Sequence, residues 1–135
     1  MAARFDPKRT PPADLPAVGN CFDRRCISRS VLAHVTGRWG SLVIAALRVS
    51  GVLRFSELRD RIDGISEKML AQTLRDLERD GLLLRTSRPV VPPYVDYRLT
   101  PMGVGVAEHI EGLVRWIEAH ARDFMSAQRE HDASL

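Results

Sequence analysis

Residues 66–100 decide the fold and read SEKMLAQTLRDLERDGLLLRTSRPVVPPYVDYRLT. The first half is helical, because Ser66 can cap a helix, three leucines at spacings of four and three share one face, and Gly81 can end it. The second half is a β-hairpin, because the apolar residues 82–84 and the alternating segment 94–99 flank a loop that contains three prolines. The chain is therefore organised around a helix followed directly by a hairpin.

Shorter helical patterns precede this stretch and a longer one follows it. Residues 26–36 and 39–50 carry apolar side chains at three- and four-residue spacing, a short extended piece comes next, and Ser56 can cap a short third helix. From residue 101 an apolar stripe predicts one long final helix that reaches Phe124. This order predicts a mainly α-helical winged helix-turn-helix with a small β-hairpin wing and an extended C-terminal dimerisation helix.

Length and composition fit one globular domain. Of the 135 residues, 44% are hydrophobic and 27% charged. Residues 1–20 hold four of the eight prolines and are expected to form a flexible arm, residues 21–125 the folded domain, and residues 126–135 a polar tail that frays. Since no apolar run is long enough to cross a bilayer and the N-terminus lacks a secretory signal, we expect a cytoplasmic protein without a membrane partner.

The predicted helix after Ser66 carries a line of cationic and amide side chains opposite its leucines. An α-helix fits the major groove of DNA, where Gln can pair with adenine and Arg with guanine, and arginines near the hairpin tip can reach the backbone. The candidate DNA-binding residues are Ser66, Lys68, Gln72, Arg75, Arg79, Arg85 and Arg88. We expect Lys68, Gln72 and Arg75 to contact the groove. Arg79 and Arg88 are expected to contact phosphates. The alternatives are a merely solvated basic face on a winged-helix adaptor that docks on another protein, and a regulator whose small-molecule effector lies between subunits.

The two cysteines, Cys21 and Cys26, allow two interpretations. Arg24, Arg25 and Arg29 surround Cys26 at the predicted start of the first helix, and nearby cations favour the reactive thiolate. Cys21 could then resolve an oxidised Cys26 within the chain or across a dimer. A free cysteine is equally a common small apolar residue of protein cores, so both interpretations stay open.

The sequence offers no support for catalysis. It contains no P-loop, GxGxxG or nucleophile-elbow motif, and its four histidines do not form a metal-ligand pattern. We therefore expect a protein that is not an enzyme and needs neither a metal nor another cofactor.

The chain resembles the HxlR-type winged-helix transcriptional regulators between Cys26 and about Trp116. The resemblance rests on GRW at 37–39, RFSEL at 54–58, and a run of further motifs in the same order. Those motifs are GIS with Lys68 and Leu70, then Leu74, Leu77, Glu78 and DGL at 80–82, VPP at 91–93, VDY at 95–97, LT at 99–100, Gly103 and Trp116. The resemblance implies a homodimeric DNA-binding repressor or activator whose recognition helix follows Ser66 and, as in some members, a sensing thiol at Cys26.

The final apolar stripe is longer than a small winged-helix core requires. We therefore predict that part of it meets a second subunit, through Ile110, Leu113, Ile117 and Phe124. A two-fold dimer would place two recognition helices about one DNA turn apart on a palindromic operator.

Overall fold

The structure is a computed structural model that describes residues 19–135, so nearly all of the predicted Pro-rich arm lies outside the described residues. In order, the elements are α1 Ile27–Thr36, α2 Gly40–Ser50, β1 Val52–Arg54, α3 Phe55–Arg61, α4 Glu67–Arg79, β2 Leu83–Arg88, β3 Tyr94–Leu99, α5 Pro101–Ala119 and α6 Ala121–Ala133. This arrangement confirms the predicted mainly α-helical winged helix-turn-helix fold. Within the described residues, no single helix is long and apolar enough to cross a bilayer; α1 and α2 pass that test only as a pair bent by 70°.

The wing belongs to a three-stranded antiparallel sheet in the order β1-β3-β2. The extended piece before α3 is therefore a third strand, in which Leu53 pairs with Tyr97 of β3. Leu83 of β2 pairs with Leu99 on the other side of β3. Because alternate residues of a strand point to opposite faces, these four residues share the inner face of the sheet, which packs on the helices.

One core joins the inner face of the sheet to α2, α4 and the first half of α5. The three leucines of α4 at positions 70, 74 and 77 are each at most 2% exposed, as their spacing predicts. Ile110 of α5 belongs to the same core at 5% exposed. The core therefore orients α4 so that its opposite face points to solvent.

Turns and caps fix where the central helices begin and end. Gly81 has φ of 81°, a left-handed conformation that glycine adopts without strain, and it ends α4 as predicted. The predicted cap at Ser56 is wrong, because α3 already begins at Phe55. The carboxylate of Glu57 instead accepts a hydrogen bond from the backbone N–H of Arg54 at 2.9 Å, which satisfies a donor at the start of the helix.

The C-terminal segment differs from the single helix and frayed tail that the sequence predicts. It is divided at His120 into α5 and α6, and α6 stays helical through Ala133. The imidazole Nδ1 of His120 donates to the carbonyl oxygen of Trp116 at 2.7 Å, and its ring stacks on the indole at 4.0 Å between centroids. The backbone of His120, with φ of −106° and ψ of 13°, lies outside helical geometry and separates the two helices.

Candidate nucleic-acid interface

The outward face of α4 carries a row of exposed cationic and amide side chains. Ser66 begins the helix, because its Oγ accepts a hydrogen bond from the backbone N–H of Met69 at 3.1 Å. Opposite the buried leucines, all four side chains of the predicted line are exposed, namely Lys68, Gln72, Arg75 and Arg79. Their spacings of four, three and four place them in one row along the helix.

Hydrogen bonds along this row hold its middle in place. Gln72 Nε2 donates to Asp76 Oδ1 at 3.0 Å, and an Arg75 guanidinium nitrogen donates to Gln72 Oε1 at 3.1 Å. Glu67, the acidic residue in the first turn, accepts from Arg59 at 2.6 Å. Among the ion pairs of residues 19–135, none involves Lys68, Arg75 or Arg79. These three cations are therefore available to bind an external anion.

The two wing arginines predicted to contact DNA lie on opposite faces of the sheet. Arg85 pairs with Tyr97 and therefore lies on the inner face of the sheet. Its side chain is nevertheless exposed to solvent. Arg88 pairs with Tyr94 at the end of β2, on the outer face, beside the loop 89–93. The structure therefore brings Arg88, but not Arg85, to the outer face of the wing.

Arg54, which is not among the residues predicted from the sequence to contact DNA, approaches the wing through strand pairing. Its guanidinium carbon lies 4.6 Å from the centroid of the Tyr94 ring, and that of Arg88 lies 5.1 Å from the same centroid. Residues 54 and 94 are far apart in the chain and meet only because β1 pairs with β3. No local pattern around Arg54 predicts this contact.

Cys26 is the residue directly before α1 and is buried, with 2% of its surface exposed. Burial raises the pKa of its thiol, but hydrogen bonds outweigh this effect and bring the pKa below its ordinary value. They come from the Ser28 side chain and from the backbone of Asn20, Ser28 and Gly19. The Asn20 N–H donates to Sγ at 3.2 Å. The thiolate is thus favoured by hydrogen bonds that the sequence does not reveal.

Two of the three arginines expected to activate Cys26, namely Arg25 and Arg29, have other partners. The guanidinium of Arg25 binds Asp23 at 2.9 Å, and this hydrogen bond lowers the pKa of the Asp23 carboxyl to about 2. An Arg29 guanidinium nitrogen donates to the carbonyl oxygen of Phe22 at 3.4 Å. The thiolate of Cys26 is therefore favoured by hydrogen bonds and not, as predicted, by neighbouring arginines. Cys21 lies nearby in the sequence and is half-buried.

A second surface, on α5 and α6, is apolar rather than charged. Of the residues predicted to meet a second subunit, Leu113, Ile117 and Phe124 are 51%, 45% and 40% exposed. Trp116 joins them at 55% exposed, with its ring 5.9 Å from that of Phe124. The assignment of Ile110 to this surface is corrected, because its side chain lies in the chain's own core. We refer to residues 113, 116, 117 and 124 as the apolar face.

One side-chain contact connects α1 to the residue that follows α4. His34 Nδ1 lies 2.6 Å from Asp80 Oδ2, and the Asp80 side chain is 8% exposed. A displacement of α1 would therefore reach α4 directly. Within residues 19–135, no cluster of three or more His, Cys, Asp or Glu side chains is placed to hold a metal ion.

In this fold α3 and α4 form the helix-turn-helix, α4 packs on the core and exposes a basic face, and an antiparallel wing follows it. These features define the winged helix-turn-helix transcriptional regulators, a class that binds DNA. The family model described as HxlR-like helix-turn-helix matches residues 34–125, and the chain belongs to this family.

Similar proteins agree with this assignment. The HTH-type transcriptional regulator YtfH of Escherichia coli (strain K12) is 51% identical over 115 residues, which cover 85% of this chain and 90% of YtfH. The structure of ytfH from Salmonella typhimurium is 53% identical with a TM-score of 0.76, over 82% of this chain and 97% of that one. The redox regulator HypR in its reduced form is 30% identical with a TM-score of 0.66, over 74% and 97% of the two chains.

Proposed function

We propose that this regulator acts as a homodimer on a palindromic operator, with α4 in the major groove and the wing on the DNA backbone. The observation that carries the proposal is the exposed row on α4, whose cations have no ion-pair partner among the described residues. Lys68, Gln72 and Arg75 are the proposed groove contacts. Arg79 and Arg88, towards the end of α4 and on the wing, are the proposed phosphate contacts.

The apolar face supports a two-fold dimer. Four large apolar side chains exposed side by side on two helices are costly to leave in water, at roughly 25 cal/mol per Å² of apolar surface. A two-fold axis through this face would bury each copy against its equivalent. Two copies of α4 would then reach successive major grooves about one helical turn apart.

The test is selection of duplexes from a random pool by the purified protein. We expect enrichment of an inverted repeat with half-sites about 10 base pairs apart, because the two recognition helices are related by symmetry. A Lys68→Gln/Arg75→Gln variant should lose this enrichment. The control, Arg129→Gln, removes an exposed cation from α6 and should select the same sequence. Selection of no common sequence by the unmodified protein would contradict the proposal and favour a protein-docking adaptor.

We further propose that oxidation of Cys26 weakens operator binding. The buried thiol has a lowered pKa, and a related structure is that of a redox regulator, HypR. Diamide would take two electrons and two protons from Cys26 and Cys21, in one chain or across the dimer, to form a disulfide. Because Cys26 is buried at the start of α1, we infer that forming this bond displaces the start of α1 and that the His34–Asp80 contact passes the displacement to α4.

Diamide should therefore lower operator affinity of the unmodified protein, and a reductant should restore it. A Cys26→Ser protein should bind with unchanged affinity after the same treatment. A Cys21→Ser protein reports whether Cys21 is the resolving thiol. Equal loss of binding in the Cys26→Ser and unmodified proteins would contradict sensing through Cys26.

A further inference from the structure

The outer face of the wing sheet gathers side chains from all three strands. Arg54 of β1 pairs with Asp96 of β3, and Arg88 of β2 pairs with Tyr94 of β3. Tyr94 and Asp96 are two residues apart in one strand, so they point to the same face. Cross-strand partners share a face as well, which places Arg54, Arg88 and Tyr94 together.

Both guanidinium groups lie against the ring of Tyr94. Their carbons are 4.6 Å and 5.1 Å from its centroid, within the range of a cation–π interaction. Tyr94 is half-buried, whereas both arginines are exposed. A half-buried ring therefore holds two exposed cations near each other at the edge of the wing.

Two carboxylates lie near this pair of arginines, and one of them, Glu57, accepts a hydrogen bond from the backbone N–H of Arg54 rather than from its guanidinium. Asp96 is the carboxylate on this face, it is buried, and it pairs with Arg98 at 3.5 Å. Among the ion pairs of residues 19–135, none involves Arg54 or Arg88. Two like charges held together, neither in an ion pair with a described residue, favour binding of an anion.

A guanidinium that stacks on a ring keeps its N–H groups directed outward, in the fork that matches two phosphate oxygens. Arg88 and Tyr94 also follow α4 in the chain, on the wing that the proposed function places on the DNA backbone, and strand pairing brings Arg54 to them. We propose that Arg54 binds a backbone phosphate of the operator beside Arg88, and that Tyr94 is the positioning residue for both guanidinium groups. This inference rests on the proposed function and adds a DNA contact from β1.

The test measures binding by fluorescence anisotropy over a salt series, on the selected duplex and on a random duplex. Arg54→Gln should reduce the slope of log K against log salt by about one unit per subunit on both duplexes, because a phosphate contact carries no sequence information. Arg115→Gln is the control, since Arg115 is exposed on α5 and pairs with Glu111. It should leave the slope unchanged.

Tyr94 is tested by two substitutions. Tyr94→Phe keeps the ring and should retain the salt slope, whereas Tyr94→Leu should lower it. Arg54→Gln should then lower the slope less in the Tyr94→Leu protein than in the unmodified protein, because the two residues act together. Circular dichroism melts test whether each variant is folded. If Tyr94→Leu is unfolded, the salt slope of Arg54→Gln alone decides whether Arg54 binds a phosphate.

Two failures can be told apart. If the unmodified protein binds no duplex, the proposed function and this inference both fall. If it binds the selected duplex and Arg54→Gln has the same slope as Arg115→Gln, only the assignment of Arg54 is overturned.

Discussion

The outward faces of α4 and of α5–α6 are both exposed, but they carry opposite chemistry. On α4 the exposed row contains three cations and one amide, whereas the apolar face contains Leu113, Trp116, Ile117 and Phe124. In α4 and in the first half of α5 the buried side chains complete the core of a single chain, whereas no residue of α6 is buried. The core therefore accounts for one side of α4 and for the start of α5, while the exposed sides suit an anion on α4 and an apolar surface on α5 and α6.

The largest effect should come from placing a charge on the apolar face. Ile117→Asp should convert a dimer to a monomer, because a carboxylate would be buried without a partner. Loss of bivalent binding should weaken operator affinity by about 10²- to 10⁴-fold. Sedimentation velocity gives the oligomeric state and anisotropy the affinity. A variant that remains dimeric would show that the apolar face is not the interface.

A matched substitution within α5 separates core from interface. Ile110→Ala should lower the free energy of unfolding by about 2–5 kcal/mol, because Ile110 is 5% exposed and its truncation leaves a cavity. Urea unfolding measures this loss, which should not depend on protein concentration. Ile117→Ala, at a position 45% exposed, should instead have an effect that changes with concentration. Equal, concentration-independent losses in both variants would remove the distinction between the two positions.

The smallest effect should come from a single phosphate contact on α4. Arg79→Gln should lower affinity for all duplexes alike and reduce the salt slope by about one unit per subunit, because it removes charge without removing base recognition. Anisotropy on selected and random duplexes measures both quantities. A changed preference at one base pair would instead place Arg79 in the groove.

Local patterns predict the central helix and the hairpin well. The leucine spacing, the cap at Ser66 and the left-handed Gly81 are all properties of consecutive residues, and the structure confirms each of them. The exposed row on α4 follows from the same periodicity. The resemblance to the HxlR-type regulators predicted the family, and the match of the family model confirms it.

Contacts between distant residues could not be predicted in this way. The stack of Arg54 on Tyr94 depends on β1 joining the sheet, and the environment of Cys26 depends on how the preceding loop folds over Sγ. At His120, where a side-chain hydrogen bond to the Trp116 carbonyl oxygen accompanies the break, the C-terminal helix is divided although the apolar stripe runs through it. Local periodicity does not predict this break, just as no local pattern predicts the contacts of Arg54 and Cys26.

The most direct test is the base preference of an Arg75→Gln protein, measured by anisotropy on duplexes that differ from the selected site at one symmetric position at a time. The account predicts relaxed preference at one base pair in each half-site, with about 1–3 kcal/mol of discrimination lost there and preferences elsewhere retained. An Arg75→Gln protein whose whole preference profile matches that of Arg115→Gln would contradict the placement of α4 in the groove.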